Sequence, residues 1–221
     1  MAEAVRVAAS AGYALWAGTW DTTPSPVVAV EERLVRPWLA GLTPRRTLDV
    51  GCGTGRWTGR LAAIGFDASP EMLAVAAGKA GLRGRLAAAD AAALPVADNC
   101  AELVLCALTL GHVPDWGAAM REFARVLKPG GSLVLTDFHP AAVERGWRRT
   151  FRHGEVLYEV EHYPYTITEL EQACERLVLR RCEAGSIGEA ERGLFAEAGR
   201  TELYEASRET PVVLLSEWIR A

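Results

Sequence analysis

The sequence predicts an α/β fold, a doubly wound and mostly parallel sheet with helices on both faces, and three observations carry the prediction. From Thr47 onward, short apolar runs of strand length alternate with helical stretches, the pattern of βαβ units. The first run leads directly into a glycine-rich turn, Gly51-Cys52-Gly53-Thr54-Gly55, that opens a helix. With 50% of its 221 residues hydrophobic and 24% charged, the chain has the composition of a globular protein with a sizeable core.

In chain order, the first 46 residues hold an aromatic stretch (Tyr13, Trp16, Trp20), a turn signal at 22–26 and an apolar helical stretch over 27–39, closed by Gly41 and Pro44. Strands are predicted over 46–50, 63–67, 84–88, 101–106 and 132–137, and helices over 55–61, 70–80, 116–126 and 168–176. Two further runs, 177–182 and 211–218, read as closing strands. Between 138 and 168 the alternation breaks, and Val156, Tyr158, Val160 and His162 recur with period two, which predicts a strand pair inserted at the ligand-binding edge of the sheet. The organisation expected is one domain over 1–221: a helical lid (1–46), a cofactor-binding core (47–138), an insert near an acceptor site (139–167) and a closing helix and strands (168–221).

A net charge of −4 and a pI near 5.7 give no basic footprint for a phosphate backbone, so no nucleic-acid partner is expected. The local cluster Arg145, Arg148, Arg149 and Arg152 reads as a solvated loop or a small-anion site. The uncharged run 7–20 is too short to span a bilayer and has no basic segment ahead of it, so no membrane partner and a cytoplasmic location are expected. Cys52, Cys100, Cys106, Cys174 and Cys182 form no Cys-x-x-Cys pair and no metal-type spacing with the four histidines, so no metal is expected.

The glycine-rich turn brings backbone close to a ligand, and the helix start behind it offers unpaired N–H groups. Position 56, where a dinucleotide fingerprint places its third glycine, is an arginine, which disfavours a pyrophosphate cradle. The segment 47–56 resembles motif I of the class I S-adenosylmethionine-dependent methyltransferases of the type 11 kind, which act on small molecules. The later motifs follow in order: Phe66-Asp67-Ala68-Ser69-Pro70 resembles the family's acidic strand end, Ala89-Asp90-Ala91 with Leu94-Pro95 the adenine-edge segment, 102–108 the fourth strand, and Leu127-Lys128-Pro129-Gly130-Gly131 the turn into the fifth. The resemblance implies a Rossmann-like sheet of seven strands with one antiparallel strand near its end. It also implies S-adenosyl-L-methionine as cofactor, S-adenosyl-L-homocysteine as product and a small-molecule methyl acceptor. The cofactor-binding positions it implies are Gly51, Cys52, Gly53, Thr54, Gly55, Asp67, Ala68, Met72, Asp90, Ala91, Cys106 and Leu108. Asp67 would take the ribose hydroxyls, since a carboxylate is a two-acceptor fork for a vicinal diol, and Asp90 the exocyclic amine. Only residues 56–66 separate the turn from Asp67, fewer than the family usually has, so the first helix must be short.

Tyr13, Trp16 and Trp20 are candidates to close over the cofactor, because an aromatic face suits a sulfonium cation. Methyl transfer is an in-line displacement that asks the protein to align two reactants, exclude water and sometimes accept a proton. Ligands of open α/β sheets sit at the carboxyl ends of the strands, and there His112, Asp137, His139 and His162 are the candidate bases, His139 first and His162 second. His112 reads as a residue that positions a loop beside the cofactor. The rival readings are a protein that binds the cofactor without turnover and a nicotinamide-dependent oxidoreductase.

Overall fold

The computed structural model describes residues 4–42, 44 and 46–221. In chain order its elements are β1 (Val5–Val7), α1 (Ala9–Trp16), α2 (Pro26–Ala40), β2 (Thr47–Val50), α3 (Arg56–Arg60), β3 (Ile64–Asp67), α4 (Pro70–Ala77), β4 (Leu86–Ala88), β5 (Ala101–Ala107), α5 (Trp116–Val126) and β6 (Leu127–Phe138). They continue with α6 (Pro140–Glu144), β7 (Thr150–His153), β8 (Val156–Val160), α7 (Ile167–Ala173), β9 (Leu177–Ser186), α8 (Arg192–Glu197), α9 (Thr201–Ser207) and β10 (Pro211–Arg220). Seven strands form one sheet in the order β4-β3-β2-β5-β6-β10-β9. Its first five strands run parallel, and β10 lies antiparallel to both β6 and β9.

The central strands are apolar throughout because both of their faces are covered. In β5, Val104 and Cys106 pack into one cluster with Met120 and Phe123 of α5. Leu103 and Leu105 point the other way, into a cluster with Val35 and Leu39 of α2. The helices start where side chains can cap them. Ser25 and Ser69 accept from the backbones of Val28 and Met72, each followed by proline at the first helical position, and Asp115 accepts from Ala118.

Several boundaries differ from expectation for local reasons. α3 is a single five-residue turn of helix, as the short spacing to Asp67 requires. Leu127 pairs with Ala101, the Lys128–Gly131 turn loops out, and pairing resumes between Leu103 and Ser132, so β6 starts earlier than the apolar run. The predicted strand pair exists as the hairpin β7/β8, but it belongs to a separate three-stranded sheet whose third strand is β1. A three-residue strand is too short to show a period, and the short helices α8 and α9 were equally silent in the sequence. Among the described residues no helix is long and apolar enough to cross a membrane.

One buried charge ties the layers together. Glu31, on the sheet face of α2, is fully buried. It accepts from Trp57 Nε1 at 3.1 Å and Thr136 Oγ1 at 3.4 Å, and lies 2.6 Å from Arg56 Nη1. Burial pushes its carboxyl up, against the pull of Arg56. Arg56→Met therefore leaves a buried carboxyl without its cation, and urea unfolding at neutral pH is expected to show a loss of about 3–5 kcal/mol. The loss should shrink as the pH falls and the carboxyl protonates.

Candidate active site

A cavity of about 550 Å³ opens at the carboxyl ends of β2, β3 and β5, where open α/β sheets place their ligands. Gly51, Cys52, Gly53 and Thr54 line it. Gly51 sits at φ +70, and a Cβ there would fall 2.1 Å from Thr109 Cγ2. The close approach lets Thr109 Oγ1 donate to the Gly51 carbonyl at 3.1 Å, joining the loops after β2 and β5. Gly55 does not line the cavity. At φ +81 it starts α3 with its Cα against Leu82, whose Cδ1 would meet a Cβ at 2.3 Å, so its role is to turn the chain into the helix.

Asp67 ends β3 beneath this loop. Its Oδ2 accepts from Gly53 N at 2.7 Å and its Oδ1 from Ser69 N at 2.8 Å. Burial raises its pKa while these backbone donors pull the other way. Ala68, Met72, Asp90 and Ala91 share the wall. Asp90 is exposed and its Oδ1 accepts from Ala92 N at 2.8 Å, which holds the turn after β4. Cys106 is fully buried on the α5 side of β5. The period-two alternation of the strand turns it away, and Ala107 and Leu108 line the cavity instead.

The N-terminal segment covers one side. Tyr13 and Trp20 line the cavity, whereas Trp16 stacks on Phe151 with ring centroids 4.6 Å apart. Asp21 fastens the segment: Thr54 Oγ1 donates to its Oδ1 at 2.6 Å, and Lys79 Nζ lies 2.6 Å from its Oδ2. Neither of the two predicted bases lines this cavity. His139 caps α6, accepting from Ala141 N at 3.1 Å. His162 faces Asp137, with Nε2 3.3 Å from Oδ1, and lines a smaller neighbouring cavity.

The histidine in the cavity wall is His112, on a short turn after β5. Its Nδ1 lies 2.7 Å from the Glu161 carbonyl, which only accepts, so Nδ1 carries the proton. Its Nε2 then accepts from Tyr13 OH at 2.9 Å. Burial and the positive charge of Arg149 depress its pKa to about 4, and burial raises Tyr13 to about 12. The site thus holds a neutral imidazole in one tautomer. Asp49 is a site residue that the sequence did not single out. It is buried, lines the cavity and accepts from Thr58 Oγ1 at 2.6 Å. Burial raises its pKa to about 6. An acid inside an otherwise apolar strand was the available signal.

Residues 48–135 match the family described as Methyltransferase domain. The demethylmenaquinone methyltransferase of Thermus thermophilus is 39% identical over 107 residues, which cover 44% of this chain and 49% of that protein. The 27-O-demethylrifamycin SV methyltransferase of Amycolatopsis mediterranei is 34% identical over 168 residues, covering 67% of this chain and 61% of that protein. The chain thus spans about half the length of the first of these relatives. The crystal structure of the N-methyltransferase NodS from Bradyrhizobium japonicum, in complex with S-adenosyl-L-homocysteine, superposes with a TM-score of 0.60 at 19% identity, over 91% of each chain. Residues 48–135 thus carry the methyltransferase-domain match, and the fold is shared with S-adenosylmethionine-dependent methyltransferases.

The histidine carries a pH signature. Because its folded pKa lies below the ordinary value near 6.5, stability is complete above that value and is lost as the pH falls towards about 4. Asp49, raised to about 6, acts with the opposite sign below that pH. Comparing urea unfolding of wild type and His112→Gln isolates the histidine. The wild type is expected to lose about 1.4 kcal/mol more per pH unit in that window.

Proposed function

We propose that this protein transfers a methyl group from S-adenosyl-L-methionine to a small-molecule acceptor. The observation that carries the reading is the charge of the cavity. Asp49, Asp67, Asp90, Asp115 and Glu161 line it against a single cation, Arg56, which is committed to Glu31. Such a lining suits a ligand with a positive centre and a diol, and repels the two phosphates of a nicotinamide dinucleotide. The volume is that of an ordinary cofactor site.

In this reading the loop 51–54 and Asp67 hold the amino-acid and ribose parts, Asp90 and Ala91 the adenine edge, Met72 and Leu108 the apolar faces, and Tyr13 and Trp20 the lid. The bound cofactor supplies a methyl group already activated by a sulfonium charge. The chain aligns the acceptor, excludes water and takes a proton where the acceptor has one to lose. His112 Nε2 is the atom placed for that proton, once the acceptor displaces Tyr13 OH from it. This assignment replaces His139 and His162. The relatives named above are named for small-molecule methylation, which together with the net charge of −4 supports a small metabolite over a nucleic acid.

Calorimetric titration with S-adenosyl-L-methionine, S-adenosyl-L-homocysteine and NADH in parallel tests the reading. Binding of the sulfur ligands alone is expected, and binding of NADH alone would overturn it. Asp67→Ala and Asp90→Ala are each expected to weaken cofactor binding about tenfold or more, from loss of charge-assisted hydrogen bonds worth roughly 1.5–3 kcal/mol. Wild-type affinity in both would remove the cofactor from this cavity.

A further inference from the structure

Beside the wall that carries His112 lies a second cavity of about 210 Å³, lined by Arg6, Phe138, Arg148, Arg149, Glu159 and His162 among others. The two cavities meet at a pair of imidazoles, His112 and His162, whose ring centroids are 5.6 Å apart. Arg149 is the unusual member. It is only 5% exposed, and its guanidinium lies over the Phe138 ring, 4.9 Å from the centroid. Its Nε and Nη2 are sealed from solvent and have no hydrogen-bond partner.

The carboxylates nearby are committed elsewhere. Glu159 lies 4.0 Å from Arg148 and Glu161 4.0 Å from Arg6. Asp137 is occupied by His162, Tyr165 and the Gly111 amide. Among the described residues Arg149 has no ion pair at all. A guanidinium cannot shed its proton, and a charge so deeply placed is unfavourable unless something opposite meets it. Stacking on Phe138 meets one face of the group and leaves its edge unanswered.

We propose that this second cavity is an oxyanion site, in which Arg149, by a small shift that turns its sealed edge into the cavity, receives the carboxylate or phosphate of a small acidic metabolite. The planar fork of a guanidinium matches either group. Arg6 and Arg148, both well exposed, add positive charge at the rim. Phe138, Val143 and Trp147 offer an apolar surface to the rest of the molecule. The site adjoins the reaction cavity, and Arg149 acts on it electrostatically: its charge lowers the pKa of both Tyr13 and His112. An anion bound to Arg149 offsets that charge and makes the His112 imidazole a stronger base, so occupancy of one cavity tunes the other.

The test is a titration of the full chain with inorganic phosphate and, separately, with benzoate, at ionic strength matched with chloride. The imidazole NMR signals of His162, in the cavity wall, and of His153, exposed on β7, are the reporters. A saturable shift of His162 without one of His153 is expected with at least one of the two anions, and at least tenfold weaker binding in Arg149→Gln. No saturable shift of His162 with either anion, or equal affinity in the variant, would overturn the proposal. Should the variant fail to fold, the wild-type titration alone decides. Titrating S-adenosyl-L-methionine into the same samples separates this site from the reading above. Anion binding without cofactor binding leaves the oxyanion site standing and sinks the methyltransferase reading, and the reverse result does the opposite.

Discussion

At the carboxyl end of β6 the carboxylate of Asp137 is buried and ionised, and three chain segments are arranged around it. It accepts from Gly111 N at 2.6 Å, Phe138 N at 2.8 Å and Tyr165 OH at 3.0 Å, with His162 Nε2 at 3.3 Å. Burial alone would raise its pKa, yet the hydrogen bond and charge of His162 bring it down to about 2. A buried carboxylate must have its lone pairs filled, and filling them pins the turn after β5 and the 161–165 segment to the core sheet. Gly111 has no room for a side chain there, since a Cβ would fall 2.2 Å from His162 Nε2. The neighbouring residue on that turn is His112, so the orientation of the cavity's imidazole depends on Asp137, which lies outside the cavity.

Asp67 plays a similar part at the end of β3. Its two oxygens take amide protons from the glycine loop and from the start of α4, so a single carboxylate sets the distance between two walls of the cavity. The lid is held by a third, Asp21, through Thr54 and Lys79. Acidic groups thus shape the cavity as well as charge it, and a cationic ligand would find them already oriented.

Buried ionic groups fall into two kinds here. Glu31 has Arg56, Trp57 and Thr136 around it, and its role is to lock α2 and α3 onto the sheet. Arg149 has an aromatic face and, among the described residues, no ion-pair partner. A fold gains nothing in stability from such a group, and it sits one imidazole pair away from the reaction cavity.

The sequence by itself determined the alternation of strands and helices, the short α3, the approximate starts of α2, α4 and α5, and the glycine loop that Asp67 follows, while the antiparallel strand β10 was implied by the family resemblance. The local features follow from local rules: period, turn residues, and the need for glycine where backbone meets backbone. Asp90 and Met72 were implied by the resemblance to the family's motifs, and the lid aromatics by the affinity of an aromatic face for a sulfonium cation. What tertiary structure alone decided is which side chains face which space. Cys106 turns towards α5 because its neighbours in β5 alternate, and Gly55 serves the helix because Leu82 returns beside it. His139 and His162 were good candidates by position, but capping claimed one and Asp137 the other. His112 acquired its neutral form and tautomer from Tyr13, Glu161 and Arg149, residues far away in the chain, and no local pattern encodes a pairing across so many residues.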